Sequence, residues 1–426
     1  MNTRSRHGGI RSVLLPLLGV LCLCCFCGGC AGSGGSDPSE ATTAAPPTET
    51  INSAHTEEND MDVTTEGSDQ LTTYRVTARE DEEELDFILD LPAGKDPVIL
   101  QITDTQIQTM AGVRNETRRI QVGNAFFSSL PDDFEFRVWR YVDEAVEKAR
   151  PDLIVLTGDN IYGELDDSGE LWRSLIEKMD SYGIPWCAVF GNHDNESGKG
   201  VLWQVEQLLG SKHGIFRRGN VSGNSNYNLL IRQGGEAKYL LYMLDSNGCT
   251  TKPHNPGEGM MPDNVDIDQI QQTAGFRNDQ IAWMTQSAKS IRQDYGEVPV
   301  LLFYHIPVSD IPRLVQKAYP GAASAVPFSP DRAGDFGTAK EPITGAAAGR
   351  FWNSAQSIGC TGMFVGHQHE VATSIVCDGI RVTYGLKTGT YDYHDEELLG
   401  STKITLSENG GTFAVEYLYS ELPYRR

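Results

Sequence analysis

Six side chains of the kinds that ligate transition metals stand just past the ends of short apolar runs. They are Asp104 in I-T-D-T-Q, Asp159 in T-G-D-N-I-Y, Asn192 in F-G-N-H-D, His305 in F-Y-H-I-P, and His367 with His369 in V-G-H-Q-H. Two carboxylates, an amide and three imidazoles offer the oxygen and nitrogen donors that suit zinc, iron or manganese, in number enough for two ions. His193 and Asp194 stand beside Asn192 in the same segment. Alternate residues of an extended chain point opposite ways, so His367 and His369 share a site only if G-H-Q-H turns, which Gly366 permits.

Residues scattered from 104 to 369 meet only if secondary structure delivers them to one edge. Residues 98–102, 153–157, 186–190, 239–244, 298–304 and 362–365 read as strands, and 136–149 and 170–182 have helical spacing. This alternation predicts an α/β fold. Later, residues 373–377, 380–384, 403–406 and 412–419 read as strands with little helix between. In open α/β sheets ligands bind beyond the carboxyl ends of strands, where the polar residues named above fall.

The chain has 426 residues, 39% of them hydrophobic and 22% charged, which is ordinary globular composition. Its 35 Lys and Arg face 58 Asp and Glu, a formal charge of -23 that disfavours nucleic-acid binding. A site carrying bound cations can still attract one phosphate. Residues 1–30 read as an export signal, with Arg4, Arg6 and Arg11 ahead of an apolar run over 13–26. That run is shorter than the roughly 20 apolar residues of a spanning helix. Gly28 and Gly29 before Cys30 resemble a bacterial lipoprotein signal, with lipidated Cys30 giving membrane attachment; simple secretion is the other reading. Either way the location is extracytoplasmic.

Residues 31–70 are rich in Ser, Thr, Pro, Gly and acids and are expected to be a disordered tether. Residues 71–96 are expected as peripheral strands, and 97–426 as the main domain. Cys187, Cys249, Cys360 and Cys377 lie beyond the leader and either pair or remain thiols.

In this order the motifs resemble the signature of the calcineurin-like metallophosphoesterase superfamily, the likeness running over residues 97–393. L-D-S-N-G at 244–248, residues 280–283, H-I-P at 305–307 and Y-G-L-K-T-G at 384–389 are similar to its purple-acid-phosphatase-related branch. The resemblance implies a four-layer α/β/β/α sandwich of two mixed sheets with a binuclear site on one edge. One ion would be held by Asp104, Asp159 and His369, the other by Asp159, Asn192, His305 and His367. The shared Asp159 would offset the repulsion of cations about 3.5–4 Å apart. The implied enzyme hydrolyses phosphoric esters with metal-activated hydroxide while His193 protonates the leaving group. Asp194 either orients that imidazole or caps the following turn.

Position 106 is Gln where the family usually has His or Gly, so the first ion loses an imidazole. Tyr162 matches the tyrosine of purple acid phosphatases, and a trivalent ion is the usual means of ionising a phenol whose pKa is near 10. The cofactors are then Fe(III) plus a divalent Fe, Zn or Mn; alternatively Tyr162 packs, Gln106 steers a water and the ions are a divalent pair. The expected partner is a small phosphate ester, cleaved as a monoester. The alternatives are phosphodiester cleavage on nucleotides or lipid head groups, and a weakly catalytic surface protein that binds metal or phosphate. Arg114, Arg118 and Arg119 clamp a phosphate or face solvent. His7, His55, His213, His254 and His394 read as surface or loop histidines. The Gly- and Pro-rich stretches 247–267 and 319–345 read as loops shaping access, with Met260 and Met261 as pocket wall or packing.

Overall fold

Strands that are apolar on both faces must be covered on both faces, and this dictates the layering. The computed structural model describes residues 60–63, 74–79, 84–108, 137–166, 168–248, 274–320 and 332–421, all within the unit Thr56–Arg426. The strands begin with β1 (Asp60–Val63), β2 (Tyr74–Ala78), β3 (Phe87–Leu91), β4 (Val98–Ile102) and β5 (Leu153–Thr157). Then come β6 (Trp186–Val189), β7 (Tyr227–Gln233), β8 (Glu236–Met243), β9 (Val300–Phe303) and β10 (Phe336–Ala339). The last are β11 (Cys360–Val365), β12 (Val371–Cys377), β13 (Ile380–Tyr384), β14 (Gly400–Leu406) and β15 (Phe413–Tyr419). Between them lie helices α1 (Arg137–Ala149), α2 (Glu170–Ser181), α3 (Val201–Leu209), α4 (Asn278–Tyr295), α5 (Asp310–Ala318) and α6 (Phe351–Ser357).

Among the described residues these strands form a ten-stranded sheet, β1-β2-β3-β7-β8-β9-β11-β13-β12-β10, and a five-stranded sheet, β15-β14-β4-β5-β6. Both are mixed. In the larger, β8, β9, β11 and β13 are parallel neighbours while β7 and β8 form an antiparallel hairpin. In the smaller, β4, β5 and β6 are parallel and β14 runs antiparallel to β4.

The twofold alternation of strand side chains sorts the core. Leu229, Ile231, Leu241, Leu301, Phe303 and Phe364 of the larger sheet meet Ile99, Ile154 and other residues of the smaller one in a shared core. Val138, Val142 and Ala145 of α1 belong to that core as well. The intervening Leu230, Leu240, Leu302 and Met363 instead join Ile281, Met284 and Ile291 of α4 and Phe351 of α6. The result is the expected α/β/β/α arrangement.

Two expectations need correction. Residues 71–96 do form strands toward one edge of the larger sheet, as expected, but they are not outside the main domain: β3 lies parallel to β7, and Leu89 is fully buried. F-I-L-D-L is too apolar to stand outside a core. Within the expected tether, Asp60–Val63 forms β1 against β2, the D-M-D-V alternation suiting an edge strand. Cys187, Cys360 and Cys377 are buried free thiols. The leader with Cys30, as well as Cys249, Arg114, Arg118, Arg119, His7, His55, His254, Met260 and Met261, lie outside the described residues, as does most of 247–267. Among the described residues no helix is long and apolar enough to cross a membrane.

Phe303 stacks on Phe364 with ring centroids 4.9 Å apart where the two sheets face each other. Phe303→Ala should cost about 3–5 kcal/mol, read as a lower denaturation midpoint in urea with an unchanged slope.

Candidate metal centre

The carboxyl ends of β4, β5 and β6 in one sheet and of β9 and β11 in the other carry all six candidate donors. The connecting loops are tied to one another through their backbones. Asp104 N donates to Gly158 O (3.1 Å), Gln106 N to Asp159 O (2.8 Å), and Gly366 N to His305 O (3.0 Å). Turning donors inward here requires left-handed backbone at Asp104 (φ 53°), Gln106 (42°), Asp159 (48°) and His367 (74°). Each such non-glycine conformation costs about 1–2 kcal/mol, and strain of this kind concentrates at functional sites. The turn that brings His367 and His369 to one site is made by His367 itself. Gly366 serves closeness instead: a Cβ there would lie 2.1 Å from Thr103 Oγ1 and 2.7 Å from Asp104 Oδ2. Gly191 does the same, since its Cβ would sit 2.3 Å from Asp159 Oδ1.

Two donor groups result, Asp104 with Asp159 and His369, and Asp159 with His305 and His367, the donor atoms of each lying within 4.8 Å of one another. Asp159 belongs to both. A carbonyl can only accept, so the 2.9 Å contact of His305 Nδ1 with Thr157 O puts that ring's proton on Nδ1 and turns Nε2 to the site. His369 is set likewise by Tyr393 O (2.8 Å) and places Nε2 3.3 Å from Asp104 Oδ1. His305 Nε2 is 3.1 Å from Asp159 Oδ2 but has no hydrogen-bond partner of acceptable geometry, and neither has the buried Asn192 Oδ1. An unsatisfied buried polar atom costs about 1–3 kcal/mol, which ligation of a cation would offset. The residues present therefore fit a pair of transition-metal ions.

Burial alone would raise the Asp104 carboxyl, but His305 and His369 hold it at about 2. Asp159 is likewise depressed against its burial, chiefly by His305 and His193. In return, the two carboxylates outweigh burial and raise His305 to about 9. His367, buried and beside cationic His305, falls to about 4.

His193 contacts this centre through its backbone, its N–H donating to Asp159 Oδ1 (2.8 Å). Its imidazole partner is Glu196, whose Oε2 lies 2.8 Å from Nδ1, and not Asp194. Burial opposes protonation of His193, yet Glu196 and Asp159 raise it to about 10. Asp194 is a clamp on the loops, accepting from Gly191 N (2.8 Å), Ile161 N (3.0 Å) and Asn160 Nδ2 (3.0 Å). The i, i+3 spacing of H-D-N-E was the available signal for Glu196. Tyr162 stacks on the His193 ring at 4.3 Å, and Tyr393 on His369 at 4.2 Å.

Sequence reading also missed Lys387. It is 1% exposed, and its Nζ donates to Asp104 O (2.6 Å) and Gln106 Oε1 (2.7 Å). Burial lowers it to about 8. The only prior sign was a lysine within the apolar Y-G-L-K-T-G. L-D-S-N-G and Gln280 prove to be scaffolding. Ser246 Oγ accepts from Ile306 N (2.8 Å), and Gln280 ties Asn247, Asn226 and Asp245 together beneath that loop. His213, expected at the surface, is buried against the Tyr74 hydroxyl (2.7 Å), away from the donor groups. His394 closes on Asp392 O (2.9 Å) in its own loop.

Residues 97–308 match the family model described as calcineurin-like phosphoesterase. The chain is 25% identical over 320 residues to a protein of Arabidopsis thaliana named probable inactive purple acid phosphatase 29, covering 70% of this chain and 72% of that one. It is 24% identical over 200 residues to phosphatase DCR2 of Saccharomyces cerevisiae, covering 42% of this chain and 31% of that one. A solved dimetal phosphatase from Danio rerio superimposes at 14% identity and a TM-score of 0.43, covering 76% of this chain and 96% of that one.

His305 must bind a cation as the neutral ring, yet it holds its proton up to about pH 9 when only the carboxylates face it. Zinc affinity of the metal-stripped protein should therefore rise with pH toward that value and binding should release a proton. Calorimetry in buffers of differing ionisation heat measures this; affinity constant between about pH 6 and 8 would contradict it.

Proposed function

Through residues 97–308 the chain belongs to the calcineurin-like phosphoesterase family, and on that premise we propose that it is an exported hydrolase of small phosphate esters, acting best on monoesters. The observation that carries this reading is the sharing of Asp159 by both donor groups, because one bridging anion is what holds two repelling cations side by side. Such a pair, when bound, lowers the pKa of a water and draws charge from phosphoryl oxygens. The chain's own residues supply the rest. With Nδ1 engaged by Glu196, His193 keeps Nε2 for the substrate, and its proton, retained to about pH 10, is available for the leaving oxygen. The Asp159 contact with His193 N fixes that acid relative to the donor groups.

The ions are Fe(III) with divalent Fe, Zn or Mn if the Tyr162 hydroxyl ligates, and a divalent pair if Tyr162 serves only to stack on His193. The basic leader, its apolar run and Cys30 support export with lipid anchoring at the cell surface. A second reading, a binding protein with weakened catalysis, is favoured by the engagement of Gln106 with Lys387 and by the word inactive in the name of the first relative.

With both ions loaded, p-nitrophenyl phosphate should be cleaved faster than its bis ester, and Asp159→Asn should lose more than about a hundredfold of that activity. No metal-dependent turnover on either ester would favour the binding reading, and a preference for the bis ester would favour a diesterase. Glu196→Gln should slow alkyl phosphates by roughly 10–100-fold while sparing p-nitrophenyl phosphate, whose leaving group needs little protonation; an equal loss on both would contradict the role given to His193. A visible tyrosinate band that disappears in Tyr162→Phe is the mark of the ferric site, and a colourless, fully loaded, active protein rules that site out.

A further inference from the structure

We propose that Tyr393 is the platform on which the ester group of the substrate stacks, so that the centre prefers phosphate monoesters whose alcohol carries a planar aromatic ring. This rests on the phosphoesterase reading above and adds the class of leaving group.

Among the described residues the exposed large apolar side chains are Leu209, Tyr393 and Tyr419. Leu209 ends α3 and Tyr419 ends β15, and single apolar residues at such places need no explanation. Tyr393 differs in being held beside the donors. Its ring lies 4.2 Å from that of His369 with the planes inclined by 25°. A ring has two faces, and the buried His369 takes one, so the 48% exposure of Tyr393 falls on the other face and the edge.

This surface is fixed before any substrate arrives. The Tyr393 hydroxyl donates to Glu341 Oε2 (3.3 Å), and its carbonyl accepts from His369 Nδ1 (2.8 Å). Glu341 is held in turn by Glu370 N (3.0 Å). On either side, Tyr391 is fully buried in the core shared by the two sheets, and Lys340 Nζ holds Asp395 Oδ2 at 2.7 Å. A group that docks here therefore has little ordering left to offset.

The loop also runs along the centre, since the charge of Asp392 acts on His193 and on His369 alike. His369 presents Nε2 toward Asp104 at 3.3 Å, so a phosphoryl group drawn to cations there sits beside the imidazole on which Tyr393 stacks. The alcohol side of the ester then meets the free face of Tyr393 and extends the stack by one ring. Aromatic pairs gain attraction beyond the area they bury, which a saturated ring of similar size does not.

The experiment compares ligands that differ only in that property. Benzylphosphonate and cyclohexylmethylphosphonate, which are not hydrolysed, are titrated calorimetrically into the metal-loaded, full-length protein, and kcat/KM is measured for benzyl phosphate and cyclohexylmethyl phosphate. In both pairs the wild type should favour the aromatic member by about three- to tenfold. Tyr393→Leu, which keeps an apolar side chain without a ring, should bring the ratio to within about twofold of unity, whereas Tyr393→Phe should retain it. A tyrosine that merely braces His369 would on replacement weaken both members alike and leave the ratio standing. Metal content and thermal melting of each variant check loading and folding. A wild-type ratio below about twofold in either pair, a ratio that survives in Tyr393→Leu, or one lost equally in Tyr393→Phe would each overturn the inference. A loaded wild type that binds neither phosphonate and cleaves neither ester would instead overturn the phosphoesterase reading, and the inference with it.

Discussion

The centre is governed by one electrostatic constraint: Asp159, 1% exposed, must remain an anion deep inside the protein. Burial of a lone carboxylate is prohibitive, so the imidazoles and N–H donors around Asp159 must keep it charged against both burial and the neighbouring carboxyl groups of Asp104 and Asp194. His305 approaches one oxygen, the His193 N–H donates to the other, and the Gln106 amide lies near the first. The field that lowers Asp159 is the same one that raises His305 and His193. With Asp104 a second buried anion beside it, the arrangement favours cations, and among the described residues it is here that two donor groups share a member.

The architecture follows from bringing enough partners to that carboxylate. Parallel β4, β5 and β6 end on one edge, parallel β9 and β11 on another, and the apolar faces of the two sheets press these edges together. Close approach then excludes side chains at Gly191 and Gly366 and forces left-handed backbone at four polar residues. Supporting bonds make that strain sustainable. Asp194 gathers three donors from the loops after β5 and β6, and Gln280, at the start of α4, gathers the loop after β8. The motifs most conspicuous after the donors themselves thus act by holding loops.

Around the donors the chain distributes distinct tasks to neighbouring residues. Tyrosine rings cover His193 and His369, limiting the motion of each imidazole, while Glu196 and the Tyr393 carbonyl fix their tautomers. On the remaining side Lys387 engages both the backbone of Asp104 and the side chain of Gln106. The centre is asymmetric for that reason: imidazoles dominate one half, and an amide–ammonium pair borders the other.

The donor residues and their strand-end placement were legible in the linear order of motifs, because runs such as L-I-V-L-T followed by G-D carry both the strand and its terminus locally. Layering was legible too, since strands apolar on both faces require cover on both. Partner choice was not. Asp194 sits next to His193 in sequence, yet backbone geometry sends it to Gly191 and Ile161, while Glu196, one helical turn on, reaches the ring. His213 read as a surface residue until β2 brought Tyr74 to it from 139 positions away. Lys387 and Gln106 are 281 residues apart, and no local pattern tells a lysine that it will be buried against a carbonyl. Local sequence determines which chemical groups exist and which way each strand must face; only tertiary packing decides which of them come within hydrogen-bonding distance, because that energy is set by separations over which the chain itself has no memory.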